Sequence, residues 1–595
     1  MSGRRQIPTG AMRFPPSVLR EYALLADGER GAIVGPHGDV AWMCAPRWDS
    51  GSVFGELIGA HGTYAVTPRQ RFVWGGHYEE GTLIWRNRWV TEAGIAECRE
   101  ALAFPGDHHR AVLLRRLEPV DASAEVDVVL DPCAEYGTRQ VRHPRFSDGM
   151  WTADVGELNL RWSCGADASF EDGAGWCAHL SVAAGDTHDI VLEVSDRRLP
   201  TEPPDPDQLW QATEAAWHEQ VPEISDCWTP RDSRHSYAVM RGLTSSGGGM
   251  VAAATTGLPE RADTGQSYDY RYVWIRDQCF AGQSVAAAGA LPLLEDAVGF
   301  VTARLHTDGD RLMPAYTTAG ERIPDQRHLI LPGYPGGTDV VGNHVSRQFQ
   351  LDNFGEALLL LATAARHDRL DQAGWRAADI AAAAIAKRWT MPDEGIWELE
   401  PRRWTHSRLT CAAGLRAIAS SRPGDSRAAE RVTLADHIIA TTAADSLAPA
   451  GHWQRSPGDC GLDGALLLAG LRGALAPEDP RTKATLNAYL RELTNGGYAY
   501  RFRPDARPLG AAEGAFQLCG FLVAMALHQQ GDQLEAGRWF ERTRAACGPP
   551  QLYSEEYDSD ENQMRGNLPQ AFVHAYLLEA SVRLSRSAPK RRGER

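Results

Sequence analysis

Three short segments set charged groups directly beside aromatic rings. The first is YDYRYVWIRDQCF, Tyr268–Phe280, where Tyr268, Tyr270, Tyr272 and Trp274 lead into Arg276-Asp277. It reads either as a helix start with a local ion pair or as a polar pair that grips a sugar beneath an aromatic wall. A flat apolar ring face with one polar handle suits both a core and a sugar ring. The second is GIWELEPRRWTHSRL, Gly395–Leu409, in which Glu398 directly follows Trp397. An indole desolvates a neighbouring carboxyl and favours its protonated form, which is the setting of a general acid. The third is QLYSEEYDSDENQMRGNLPQAF, Gln551–Phe572, with Glu555-Glu556 behind Tyr553 and a further acidic run downstream.

Other chemistries fit less well. DSDEN, Asp558–Asn562, opens like a calcium loop, but Gln563 stands where the turn needs Gly and Pro569 where the bidentate Glu belongs. The pair His108-His109 would point to opposite faces of a strand, so zinc is not expected. The glycines of SGGGMVAAATTG are followed by no Gly-Lys-Ser/Thr, and there is no Gly-x-Ser-x-Gly elbow. No metal and no cofactor is expected.

A net charge of -16 disfavours nucleic acid, whose phosphates are bound by Lys and Arg. With 43% hydrophobic and 23% charged residues the chain is of ordinary globular composition and long enough for two large domains. No apolar stretch is long enough to span a bilayer, and the two arginines near the start precede no apolar signal region. The eleven cysteines are scattered, without a Cys-x-x-Cys pair, which fits reduced thiols and a cytoplasmic location. Homo-oligomerisation is left open.

These segments need elements to hold them. The first third alternates apolar and polar residues in Gly31–Pro46, Gly81–Phe104, Ala124–Pro132 and His188–Ser195, without intervening helical patterns, and predicts an antiparallel β-sandwich. Pro200–Gln208 is a Pro- and acid-rich break. Beyond it the period turns helical, with seven strong helical runs, among them FGEALLLLATAARHD, LDGALLLAGLRGAL and PQAFVHAYLLEASVRL. The expected division is a β-sandwich over 12–205, a linker over 206–232, an all-α domain over 233–586 and a disordered tail over 587–595.

Seven motifs in order carry a resemblance: GAIVGPHGDVAWMCAPRWDSGSVFGELIG, AATTGLPE with YDYRYVWIRD, QFQLDNFGE, GIWE, LDGALLLAGL, EGAFQLCGF and SEEYD with GNLPQAFVHA. Together they resemble glycoside hydrolase family 15, the inverting glucoamylases, glucodextranases and bacterial trehalases, over nearly the whole chain. The resemblance implies a β-sandwich followed by an (α/α)6 barrel, and an exo-acting α-glucosidase. It implies Glu398 as general acid and Glu555 as general base. Arg276 and Asp277 would hold the terminal glucosyl unit, Trp274 and Trp397 would line the pocket, and Tyr272 and Gln570 are further substrate-binding candidates. Asp558, Asp560 and Glu561 are then a solvated loop.

The family's reaction needs one carboxyl to protonate the leaving oxygen and a carboxylate on the other side to activate water. The implied partner is a small carbohydrate. Ser267-Tyr268 and Leu399 depart from the family pattern, so linkage is not carried over, and trehalose, maltose-type and isomaltose-type substrates stay open. A catalytically silent sugar-binding relative and an inverting disaccharide phosphorylase are the alternatives. A phosphorylase needs no base, and Glu555 argues for hydrolysis.

Overall fold

The computed structural model describes residues 14–163, 168–260 and 266–586. The tail expected over 587–595 lies outside them.

The N-terminal part is antiparallel β throughout. Ala23–Ala26, Gly31–Val34, Val40–Cys44 and Ser52–Phe54 form one sheet in chain order. A second four-stranded sheet is centred on Ala124–Asp131, paired with Gly175–Val182 and Thr63–Pro68. An eight-stranded sheet runs from Val141–Ser147 to Phe72–Tyr78. Trp85–Thr91 shows how the sequence writes this layer. Trp85, Asn87 and Trp89 are buried, while Arg86 and Arg88 point the other way and pair with Glu97. Side chains alternate across a strand, so one face fills the core and the other carries charge. Trp85, Trp89, Trp162 and Trp176 meet in one core shared by the sheets. For these tryptophans the indole is packing, not sugar binding.

The segment expected as a linker is largely a packed helix. Pro206–Gln220 starts at Asp205, whose carboxylate accepts from the Asp207 and Gln208 amides, with Pro206 in the first turn. Trp217 of this helix stacks on Phe104 of the sandwich, ring centroids 3.9 Å apart.

The second domain is a closed two-layer barrel. Its inner helices are Ile275–Ala287, Asp352–Arg366, Thr405–Ser421, the short Leu468–Leu471, Gln517–Gln529 and Ala571–Ser585. Each packs on the next and the last on the first. Pro230–Leu243, Leu291–Asp308, Gln372–Arg388, Ala428–Ser446, Pro480–Glu492 and Gln533–Arg544 form the outer layer. Inner helices are covered on all sides, so Ala571–Ser585 is buried almost along its length. Two of them cross at glycines: a Cβ on Gly414 would lie 2.4 Å from the Gly355 carbonyl oxygen. The run LDGALLLAGLRGAL is shorter than its pattern predicts. It opens as the 3-10 turn Gly464–Leu467, capped by Asp463, and stops before Gly473, which sits at φ +81.

Candidate active site

Residues 268–274 run extended along the barrel mouth, tied by Gly257 N–H to Tyr268 O, Ala253 N–H to Tyr270 O and Ala252 N–H to Tyr272 O. Alternation along this strand splits its side chains. Asp269 and Arg271 form a buried ion pair of 2.7 Å that turns toward the sandwich, where Arg271 donates to the carbonyls of Trp48 and Ser50. Tyr268 and Tyr270 turn the other way, stacked at 6.2 Å, and Tyr270 meets Trp274 edge-on at 5.5 Å. The β-sandwich thus holds the back of the segment whose front lines the pocket.

Trp274 caps the helix Ile275–Ala287, which places Arg276 and Asp277 in its first turn. Arg276 donates through Nε to Asp277 Oδ1 at 2.9 Å and through Nη1 to the Ile396 carbonyl at 2.7 Å. The same first turn also brings the Trp274 indole N–H to Glu398 Oε1 at 2.7 Å. Glu398 sits in a left-handed conformation, φ 56, just after Gly395 at φ +65. A non-glycine residue held there is strained and is kept in place by its surroundings. The indole next to Glu398 in sequence is turned away: Trp397 donates to Asp463 Oδ1 at 2.7 Å. Trp274 thus occupies one Glu398 oxygen.

Glu555 comes from a distant segment of the chain. Glu556–Asp558 pairs with Gln563–Arg565 and with Ala515–Phe516, a small three-stranded sheet that fixes the residue just before it. Tyr270 Oη donates to Glu555 Oε2 at 2.9 Å. The acidic loop beyond is a turn, in which Asp558 accepts from the Asp560 and Glu561 amides and Arg565 pairs with Glu561. Among the described residues no cluster of His, Cys, Asp and Glu could hold a metal ion. No described helix is long and apolar enough to cross a membrane.

Glu398, Glu555, Arg276 and Trp397 line one cavity of about 140 Å³. Trp274 and Asp277 support it from behind. Two candidates are placed elsewhere. Tyr272 packs in an apolar cluster with Ala252, Ala315, Ile323 and Val345 and is not in the cavity wall. Gln570 is buried at the start of the helix Ala571–Ser585, where its amide donates to the Tyr553 carbonyl, and it is Phe572 that reaches the cavity. Sequence reasoning missed Glu260, His344, Arg501 and Glu513, all in the wall. Tyr268 and Tyr270, read from the sequence within a possible aromatic wall, are in it as well. Arg501 stands between Tyr500 and Phe502, the same charged-aromatic signal, whereas Glu513 carries none, and the barrel's closure brings both to the pocket.

The electrostatics are lopsided. Arg501 forms a two-pronged pair with Glu513, at 2.7 and 2.8 Å, and also faces Glu260 at 3.9 Å and Glu556 at 4.0 Å. Burial pushes the carboxyls of Glu555 and Glu556 well up, the neighbouring carboxyl of Glu260 adds to it, and Arg501 only partly offsets this. Asp352, buried beside Arg276, is pushed up to about 6 by burial despite that guanidinium. Burial thus raises several carboxyls at this end of the barrel.

Residues 235–582 match the family model for glycosyl hydrolases family 15, and residues 8–215 the trehalase-like N-terminal domain. The chain belongs to glycosyl hydrolases family 15. It is similar to the trehalase of Mycolicibacterium smegmatis, 30% identical over 98% of this chain and 93% of the relative. It is likewise similar to the trehalase of Mycobacterium tuberculosis, 30% identical over 96% of this chain and 90% of the relative. A bacterial glucoamylase complexed with acarbose shares the fold across 96% of both chains, with a TM-score of 0.71 at 13% identity. This family 15 chain is therefore a glycoside hydrolase with the sandwich-plus-barrel architecture.

Proposed function

We propose that the enzyme hydrolyses an α-glucoside with inversion, acting on one terminal glucosyl unit, with Glu398 as general acid and Glu555 as general base. The observation that carries this is that two carboxyls from distant segments share one small cavity with Arg276, each held by its own donor. In the proposed reaction Glu398 protonates the leaving oxygen while Glu555 takes a proton from the attacking water. An inverting pair stands roughly 6.5–9.5 Å apart to admit that water. Arg276, fixed by Asp277 and the Ile396 carbonyl, offers donors to sugar hydroxyls.

Trehalose is the first candidate substrate. Its support is that the relatives 30% identical over nearly the whole chain are trehalases. Isomalto- and malto-oligosaccharides are the next candidates. Glucose release from trehalose, maltose, isomaltose, nigerose and soluble starch tests the assignment. Release from trehalose well above the rest supports it. Mixed-length oligosaccharides released early from starch would contradict a pocket for one terminal unit.

A further inference from the structure

Glu260 closes the motif AATTGLPE and lies in the cavity wall beside Glu555. Both residues are almost fully buried, 4% and 5% exposed. Their side chains meet over Gly566: a Cβ on that glycine would lie 3.6 Å from Glu555 Cβ and 3.7 Å from Glu260 Cγ. Gly566 sits at φ +87 and its amide donates to the Pro259 carbonyl at 2.7 Å, so the loop bearing Glu260 is tied to the hairpin that follows Glu555. Tyr270 Oη is 2.9 Å from Glu555 Oε2 and 3.3 Å from Glu260 Oε1. A phenol has one proton, and here it goes to the nearer carboxylate. The two carboxyls thus converge on the one Tyr270 hydroxyl, which puts a direct contact between them within reach. That contact needs a proton of its own, because two ionised carboxylates only repel.

We infer that Glu260 is a positioning residue that stays protonated and donates its hydrogen bond to Glu555, so that the base remains ionised and aimed into the cavity. The inference rests on the reading of Glu555 as base. The other groups facing the pair are Arg501, which is shared with Glu513 and Glu556, the phenols of Tyr268 and Tyr270, and at longer range Arg276 and Glu398. One guanidinium divided among four carboxyls cannot keep them all ionised. The proton has to sit on one of them, and on Glu260 it does no harm to the proposed chemistry. In such one-proton pairs the first proton leaves at lower pH than from an isolated buried carboxyl.

The test is the pH profile of kcat for Glu260→Gln, Glu260→Ala and Glu260→Asp beside the parent and Glu555→Ala. Glutamine keeps a neutral donor, so its acid limb should stay in place and kcat should fall less than about tenfold. Alanine removes the donor, so the acid limb should move up by about one pH unit. Its kcat at the optimum should fall about tenfold or more, with KM within about threefold. Aspartate withdraws the carboxyl by one methylene and should shift the limb the same way by less, which decides the matter if alanine fails to fold. An acid limb unmoved in both Ala and Asp, or Gln as inactive as Ala, overturns the inference. Near-parental activity in Glu555→Ala would instead overturn the base assignment, so the two failures are told apart.

Discussion

The inner helix Ala571–Ser585 links two buried carboxylate sites that come out opposite. Near its start, at the pocket, four glutamates face the single guanidinium of Arg501. Two turns along, Glu579 receives two guanidiniums, Arg472 at 2.5 and 2.9 Å and Arg583 at 2.6 Å, plus the Ser284 hydroxyl at 3.2 Å, with Glu356 as the other carboxyl facing Arg472. Burial works upward on both. At Glu579 it is overridden by Arg472 and then Arg583, and the carboxyl is held down to about 2. At Glu555 burial and Glu260 prevail over Arg501. The ratio of cations to carboxylates, not depth, separates a site that holds protons from one that holds the fold. Perturbed carboxyls in a cleft mark chemistry only when no such structural pairing accounts for them.

The comparison breaks first at the proposed pair. Glu398→Gln should lose at least ~10²–10⁴ in turnover on a substrate with a poor leaving group, and less on an activated aryl glucoside. Steady-state kinetics on both substrates check this, and equal losses would remove Glu398 as the acid. Glu555→Ala should be nearly inactive, with azide restoring part of the turnover as a small anionic nucleophile.

At the structural site the loss should be in stability instead. Arg472→Met leaves Glu579 half-paired and should cost about 3–5 kcal/mol, read from denaturant midpoints, while kcat of the folded fraction holds. Because the Glu579 carboxyl is depressed on folding, its stabilisation is present above its unfolded value and is lost as pH falls toward about 2. That contribution is on the order of 3 kcal/mol. Acid unfolding of Arg472→Met should lack most of it. Pocket carboxyls carry the reverse sign. Their folded values are raised, so their contribution falls as pH rises above the unfolded range. Glu555→Gln should then gain stability at neutral pH while losing activity. A stability loss there would contradict the contrast. A modest effect is expected for Trp274→Phe, which removes one donor to Glu398 at a cost of about 1 kcal/mol in the transition state, read from kcat/KM.

The fold behind this contrast was legible in the sequence at the level of motifs. Alternation in Trp85–Thr91 gave the sandwich layer, and the apolar runs around Leu358 and Leu577 gave inner helices. What sequence adjacency could not give was which group touches which. Trp397 adjoins Glu398 in the chain, yet the left-handed turn at Glu398 sends the two side chains to different partners, and Trp274 takes the contact. Tyr272 shares its motif with Tyr268 and Tyr270 but meets an apolar cluster where they meet the pocket. Arg501 and Glu513 become neighbours of Glu555 only through barrel closure, a long-range consequence that local periodicity does not encode.

The account stands most directly on the anomeric form of the first products. With trehalose, inversion at the attacked carbon gives one β-glucose, while the leaving glucose keeps its α configuration, so proton NMR in the first minutes should show the two in equal amounts before mutarotation. A maltose-type substrate should give β-glucose from its non-reducing unit. If Glu555 were instead a nucleophile, the carboxyls would stand only ~5–5.5 Å apart and the attacked unit would be released as α-glucose. An initial product from trehalose that is α-glucose alone would contradict Glu555 as base, and with it the acid–base pair on which the site rests.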